Sequence, residues 1–441
     1  MKIAVIGSGI SGNVAAYHLN KEHDITLFEQ NSHIGGHTHT HTIDDVGSEL
    51  KPSGLNRGEL NIDTGFIVLN DRTYPNFISL LKELDVDIQK TEMSFSVKCE
   101  QSGLEYNGNN LDTLFAQRSN LFQPKFYKMI SDIMRFNREA TVFLNNIYSD
   151  QHTDNLSLGD FLHNNDYSKI FINKYIVPMG AAIWSTKPGD MFSFPARFFF
   201  KFFLNHGLLS VNNRPQWYVI KGGSNNYVKK LIKGFEDKIR TDCPVTSIVR
   251  FQDHVEIHTQ KHDIEKFDYV FIASHSDQAL NMLQHPSVEE RETLSAIQYQ
   301  KNEAVLHTDK SLLPIRNKAW ASWNYHIPKD TRSNVALTYN MNILQGLSSD
   351  NTYCVTLNYT DQIDKDKILK TIEYHHPIFT PDSIIAQENH RLINGTSRTY
   401  YCGAYWRNGF HEDGVVSAVN ALSHFKQDIS HEQKLSLRWA S

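Results

Sequence analysis

Cysteine is scarce in this chain. Its four cysteines, Cys99, Cys243, Cys354 and Cys402, are scattered without C-x-x-C spacing. That excludes a disulfide framework and the usual zinc cage, and it points to a reducing cytoplasm. No run of about 18 apolar residues occurs, so no membrane-spanning helix is expected. Basic charge is not in excess: 44 Lys and Arg stand against 49 Asp and Glu, for a formal net charge of −5. Bulk nucleic-acid binding, which needs a basic field, is therefore not expected. No internal repeat or low-complexity tract stands out, and no signal peptide is expected ahead of "KIAVIG", which begins at Lys2. What is present is an ordinary globular composition, 40% hydrophobic and 21% charged, in 441 residues. That length is too great for one simple core, so two domains or one composite fold are expected.

The clearest signal is at the N-terminus. "KIAVIG" is a short β-branched apolar run of the kind that forms a buried parallel strand. Gly7, Gly9 and Gly12 then spell G-x-G-x-x-G, "NVAAYHLN" follows with helical spacing, and "DITLFE" is a second strand ending in Glu29. This is the dinucleotide fingerprint in its required strand–turn–helix–strand context. Gly7 allows the tight turn, Gly9 lets a pyrophosphate approach the helix N-terminus, and Gly12 allows the helix to pack on the strand. Ile10 and Ser11 open that helix. Glu29, with Gln30 beside it, can accept hydrogen bonds from the adenosine ribose.

The fingerprint does not by itself separate NAD from FAD. The next stretch, "QNSHIGGHTHTHT", adds a second glycine pair, Gly35 and Gly36, for which an NAD domain has no evident need. Here the chain resembles the FAD-dependent amine-oxidase and phytoene-desaturase superfamily, which carries GG-R at this place; this sequence has His37, then Thr38. On a strand, His37, His39 and His41 would share one face. No partner acid or cysteine motif accompanies them, so a metal is not expected.

The resemblance continues along the chain. "NIDTGFIVLNDRTYPNFISLLKEL" looks like the superfamily's second flavin contact, through Gly65 and Phe66. "VIKGGSNNYVKKLIKGF" and the strand "PVTSIV" resemble the segment whose valine backbone meets the adenine, here Val245. "YYCGAYWRNGFHEDGVVSAVNAL" looks like the C-terminal flavin segment, with Gly403 ahead of a helix aimed at the isoalloxazine. The resemblance implies that Asp413 caps this helix and that Gly414 and Val415 present backbone N–H groups to the flavin pyrimidine. Tyr405, Trp406 and His411 lie beside this segment and are catalytic candidates, as is Lys301, near where some relatives carry a lysine that holds a water by flavin N5. Asn324 and Tyr325 are further candidates for the substrate pocket. Covalent relatives place a cysteine or histidine at the flavin edge; with no clear match here, non-covalent FAD is expected.

"AAIWSTKPGDMFSFPARFFFKFFLNHGLL", "QWYVIKGGS", "AWASWNY" and "GAYWRNGFHEDG" together resemble a narrower group of bacterial FAD/NAD-binding amine-oxidase-like proteins. Related domains are fused to, or encoded beside, cyclopropane-fatty-acid-synthase-like methyltransferases. The resemblance implies a small apolar or lipid substrate, a lipid methyltransferase partner, and a cytoplasmic place with contact at the inner face of the membrane. It implies an α/β fold: a Rossmann-like FAD-binding domain from residues 1–70, 215–280 and 388–441, interleaved with a mixed-sheet and helical substrate domain from 71–214 and 281–387. The expected activity is hydride transfer from substrate to flavin. A redox-neutral isomerase, or a flavin-bearing accessory protein without turnover, are the alternatives. Residues 71–214 read as mostly helical. Within them "FPARFFFKFFLNHG" is either a buried cap helix, or the wall of a substrate tunnel or a membrane-facing patch.

Overall fold

The computed structural model describes residues 1–45, 58–145, 156–210, 212, 214–261, 263–329 and 336–439, the last eight of them as backbone only. Strand β1 (Lys2–Ile6) is buried from Ile3 onward, as a run without alternation requires when both faces are covered. Helix α1 (Ile10–Leu19) crosses back, and β2 (Asp24–Phe28) pairs parallel to β1. The sheet is completed by strands from far along the chain: Ile239–Arg240 outside β2, Tyr269–Ile272 on the other side of β1, then Thr399–Tyr401. All five strands run parallel, so their C-terminal ends open together above α1, where α/β sheets bind ligands.

A second sheet has seven strands, in the order Ile368–Ile378, Gln298–His307, Cys354–Leu357, Ala336–Asn340, Trp323–Ile327, Phe95–Cys99 and Leu104–Asn107. Only the Trp323–Ile327/Phe95–Cys99 pairing is parallel. The fold is thus α/β with a mixed-sheet second layer, as expected. Residues 71–214 are less helical than their periodicity suggests, because Ile88–Thr91, Phe95–Cys99 and Leu104–Asn107 are strands. "MSFSV" alternates, which sheet pairing rewards, and Gly103 at φ 64° closes the hairpin.

Packing also departs from the expected division of the chain. Helix Pro75–Glu83 buries Phe77, Leu80 and Leu81 in the same apolar cluster as β1 and α1, against the C-terminal helix. Leu294 and Ile297 likewise pack under the five-stranded sheet. Among the helices opposite, Leu158–Asn164 starts on Ser157, whose side chain accepts the Asp160 N–H. The phenylalanine run forms helix Ala196–Asn205, with Phe199, Phe200, Phe202 and Phe203 all buried. It packs as a core helix, and its Phe202 also lines the cavity described below, so both the cap-helix and the wall reading hold in part.

Two buried polar networks hold the site's walls. The Asp63 carboxylate accepts the Ser224 N–H at 3.0 Å, the Thr40 hydroxyl and the Gln345 amide at 3.0 Å. It thereby fixes the strand leading to Gly65 against three other segments. In the second network, Glu290 takes both guanidinium nitrogens of Arg250, at 2.5 and 2.9 Å, and the Tyr401 hydroxyl at 2.7 Å. Side-chain exposure is 7% for Arg250 and 0% for Glu290. Removing one partner strands a buried charge, so Glu290→Ala is expected to cost about 3–5 kcal/mol. Calorimetric melting of the variant checks this; an unchanged midpoint would show that the network adds nothing.

Candidate active site

One cavity of about 1220 Å³ begins at the C-terminal edge of the parallel sheet and runs beneath the seven-stranded sheet. It exceeds the roughly 300–1,000 Å³ of an ordinary small-molecule site. Gly7, Gly9, Ile10, Ser11, Glu29, Gln30, Gly35, Gly36, His37, Gly65, Phe66, Val245, Gly403, Tyr405 and His411 all line it. The sequence thus brings its two ends and its middle to one place.

The glycines explain how. A Cβ on Gly12 would sit 1.9 Å from the Gly7 carbonyl oxygen, so α1 lies directly on the end of β1. A Cβ on Gly9 would meet nothing within 4 Å and would project into the cavity. Gly36, at φ 58°, folds its loop back until a Cβ there would be 3.1 Å from the Gly9 Cα. Helix α1 carries no side-chain cap, so its first N–H groups are free to meet an anion at its cavity-facing end. Glu29 accepts the Ser8 N–H at 2.9 Å, the Ser8 hydroxyl at 2.6 Å and the Asn31 N–H at 2.9 Å. Ser8 and Asn31 were not legible as site residues, because their role is to orient the carboxylate.

Beyond the glycines the wall is rich in imidazole. The His37 ring stacks on Tyr374 at 4.9 Å, with His376 at 5.4 Å and His275 at 6.1 Å. Burial, then the neighbouring imidazoles, push His37 down to about 3; burial pushes His376 to about 3 and His275 to about 4. All three are neutral at pH 7. Among the described residues no group of three or more His, Cys, Asp or Glu is arranged to hold a metal. His37 Nε2, the Tyr405 hydroxyl and the Trp184 and Trp323 indole N–H groups are buried without a hydrogen-bond partner, although all four residues line the cavity.

The C-terminal segment departs from expectation. Its helix runs His411–Trp439 and so begins three residues before Gly414. Asp413 is in the first turn, where its carboxylate accepts the Phe410 N–H at 2.9 Å; it reaches back from inside the helix and is not itself the cap. Burial raises Asp413 to about 6. Gly414 faces α1: a Cβ there would come 2.6 Å from Ile10 Cγ2 and 2.9 Å from Ser11 Oγ. Neither Gly414 nor Val415 lines the cavity, and the residues of this segment that do are Gly403 to Tyr405 and Asn408 to His411. The glycine serves helix-to-helix contact, and the helix N-terminus offered to a ligand lies at His411.

Thr38 is behind the wall. Its hydroxyl is 2.6 Å from the Tyr227 hydroxyl, and His411 Nε2 lies 2.9 Å from both. His411 also stacks on Phe66 with ring centroids 3.5 Å apart. Trp406 is buried against His390 and Tyr405 and does not reach the cavity. Lys301 is exposed and paired with Glu373, so it cannot hold a buried water. Asn324 is locked by Ser96, Ala321 and Thr338 inside the seven-stranded sheet. Strand alternation turns Trp323 into the cavity instead, opposite Tyr339.

The profile of the family described as "Flavin containing amine oxidoreductase" matches residues 10–321. The chain belongs to this family. Solved structures agree on the fold. A putrescine oxidase redesigned in its cofactor binding superposes with a TM-score of 0.69 at 13% identity, covering 97% of this chain and 99% of that one. Cyclohexylamine oxidase from Brevibacterium oxydans IH-35A gives 0.68 at 14%, covering 97% and 99%. A CLA-producing fatty acid isomerase from P. acnes gives 0.65 at 15%, covering 96% and 98%. A 4,4'-diaponeurosporene oxygenase from Staphylococcus aureus (strain MRSA252) is 44% identical over 54 residues, which is 12% of this chain and 11% of the oxygenase. Membership in this flavoenzyme family implies FAD. The uncapped α1 N-terminus and the open Gly9 cradle fit it.

Proposed function

We propose that the protein is an FAD-dependent oxidoreductase of the oxidase, dehydrogenase or desaturase type, acting on an apolar, fatty-acyl or other lipid substrate. The observation that carries this reading is the continuity of the cavity. Past the glycine cradle its walls include Met93, Phe95, Trp184, Phe202, Trp323 and Tyr339. FAD, held non-covalently by α1, Glu29 and the Gly35–Gly36 loop, supplies a hydride acceptor. The chain supplies position and dryness. The apolar walls exclude water from an alkyl group, and Tyr405 and His411 flank the place where nucleotide cradle and chamber meet. His411 is held by Thr38, Tyr227 and Phe66, so it fixes the helix N-terminus and does not swing. A lipid methyltransferase partner and a cytoplasmic place at the membrane's inner face belong to this proposal on sequence resemblance alone. No described helix is long and apolar enough to cross a membrane.

The protein is expected to purify yellow, to bind FAD in preference to FMN or NAD, and to release all its flavin on acid precipitation. Flavin retained in the pellet would show a covalent link. Anaerobic mixing then tests the chemistry. Long-chain lipids are expected to bleach the flavin stoichiometrically. Turnover only after chemical reduction would instead mark an isomerase, and no response to any lipid an accessory protein.

A further inference from the structure

We propose that the substrate of this chamber is an apolar chain ending in a free carboxylate, and that Arg214 is the residue that reads it. The inference rests on the proposed apolar-substrate reading and deepens it.

The charge inventory of the cavity comes first. Among the described residues that line it, Arg214 is the only lysine or arginine. The lining carboxylates are Glu29, Asp277 and Glu373. Glu29 is engaged by Ser8 and Asn31, Glu373 is paired with Lys301 and His375, and Asp277, in the first turn of its helix, accepts the Gln278 N–H. None of them stands beside Arg214, and no carboxylate among the described residues pairs with it. His206, which also lines this end, is pushed down to about 4 by burial and is neutral. A cationic substrate end would find no counter-ion here, whereas an anionic end would find one.

The position of Arg214 is the second point. Gly207, at φ 68°, makes a turn at which a Cβ would lie 3.5 Å from the Arg214 Cα and 3.4 Å from an Arg72 guanidinium nitrogen. The Arg72 guanidinium and the Arg214 backbone therefore meet at one turn. The Arg214 Nε donates to the Ser210 carbonyl at 3.1 Å, which tethers the side chain. Burial pushes the phenol of Tyr175, another lining residue, up, and the nearby charge of Arg214 opposes that shift. From this rim a run of rings leads inward: His206 is 6.3 Å from Trp217 and 6.0 Å from Phe410, which borders His411.

Physical chemistry sets the orientation. Burying a carboxylate without a partner is very costly, while burying an alkyl chain is favourable. A chain-shaped acid therefore enters tail first and leaves its head at the mouth. Arg214 is exposed, which places a guanidinium where that head comes to rest. A guanidinium meets a carboxylate through two parallel N–H bonds, a geometry that an ester, alcohol or amine cannot return.

The test uses the FAD-loaded protein at fixed ionic strength with four probes of one chain length, below their micelle concentrations: oleate, methyl oleate, oleyl alcohol and oleylamine. Binding is read by quenching of cavity tryptophan fluorescence and by the flavin spectral shift. Oleate is expected to bind at least about 10-fold more tightly than methyl oleate. Arg214→Ala should erase that preference while leaving methyl oleate binding unchanged, and Arg214→Lys should keep part of it. Equal affinities for oleate and its ester, a preference that survives Arg214→Ala, or tightest binding by oleylamine would overturn the inference and leave the apolar chamber standing. Binding by none of the four would overturn both.

Discussion

Gly12→Ala is expected to cost the protein much of its stability, and Gly9→Val only its cofactor. The two glycines are three residues apart in one motif, yet their surroundings differ in kind. A methyl group on Gly12 would lie 1.9 Å from the backbone oxygen of Gly7 and 3.1 Å from the Ala273 Cβ. Backbone cannot swing away as a side chain can. Helix α1 would have to lift off β1, exposing Val14, Ala15 and Ala16, which are all at 0–1% exposure. Overpacking of this severity belongs at the upper end of its usual range, about 3 kcal/mol or more. That is a large part of a typical total of about 5–15 kcal/mol. Gly9 has φ −64°, which any residue adopts, and open space beyond its Cβ. Gly9→Val should therefore melt like the wild-type apoprotein, within about 0.5 kcal/mol. Its side chain would fill the approach to the α1 N-terminus, so FAD affinity should fall by at least about 100-fold. Melting the apoproteins and titrating FAD separates the two effects. Normal FAD binding by Gly9→Val would mean that the dinucleotide does not lie on α1.

The same contrast shows what could be read from the chain alone. The glycine turn between β1 and α1 was legible because its spacing is forced: a tight turn and a close packing contact each require glycine at a fixed interval. The place of Glu29 directly after β2 followed from the strand–turn–helix–strand order. The C-terminal helix start was not, because an aspartate preceding a glycine suits two positions. Asp413 can cap a helix, or it can reach back from inside one to the Phe410 N–H, and only the path of the chain decides. Lys301 was misplaced because a strand alternates. Its neighbours Gln300 and Asn302 bond inward, to the Ser185 carbonyl and the His376 ring, which leaves Lys301 on the outer face. The chamber was least legible of all. Phe95 and Trp323 are parallel neighbours 228 positions apart, and no local pattern announces such a pairing. Tyr374, His376 and His275 became site residues only when the long strand Ile368–Ile378 and the loop after Tyr269–Ile272 met at His37.

That meeting of histidines leads to an expected acid lability well above the range where carboxylates titrate. Burial is the first cause in every case: it pushes His37 and His376 down to about 3, and His206, His275, His307 and His390 down to about 4. An unfolded histidine titrates near 6.5. From about pH 7 downward the unfolded chain binds protons that the folded chain refuses, so stability falls as pH falls; well above 6.5 these groups add no dependence. At pH 5.5 each such histidine costs about 1.4 kcal/mol, or about 8 kcal/mol for the six together. Asp63 and Asp413 work the other way, since burial raises both to about 6 from 3.8. They favour the folded state as pH drops, but by only about 0.8 kcal/mol each at pH 5.5. The histidines win. The melting midpoint of the apoprotein should be flat from pH 8 to 7, then drop steeply below 6.5, with most of the stability gone near pH 5. His307 is outside the cavity, where its Nε2 lies 2.7 Å from the Thr356 hydroxyl. His307→Gln should remove one proton's worth of the slope without touching the FAD site. A midpoint that stays level down to pH 5 and falls only near pH 4 would assign acid unfolding to the carboxylates. It would also show that the imidazoles around His37 accept protons in the folded state.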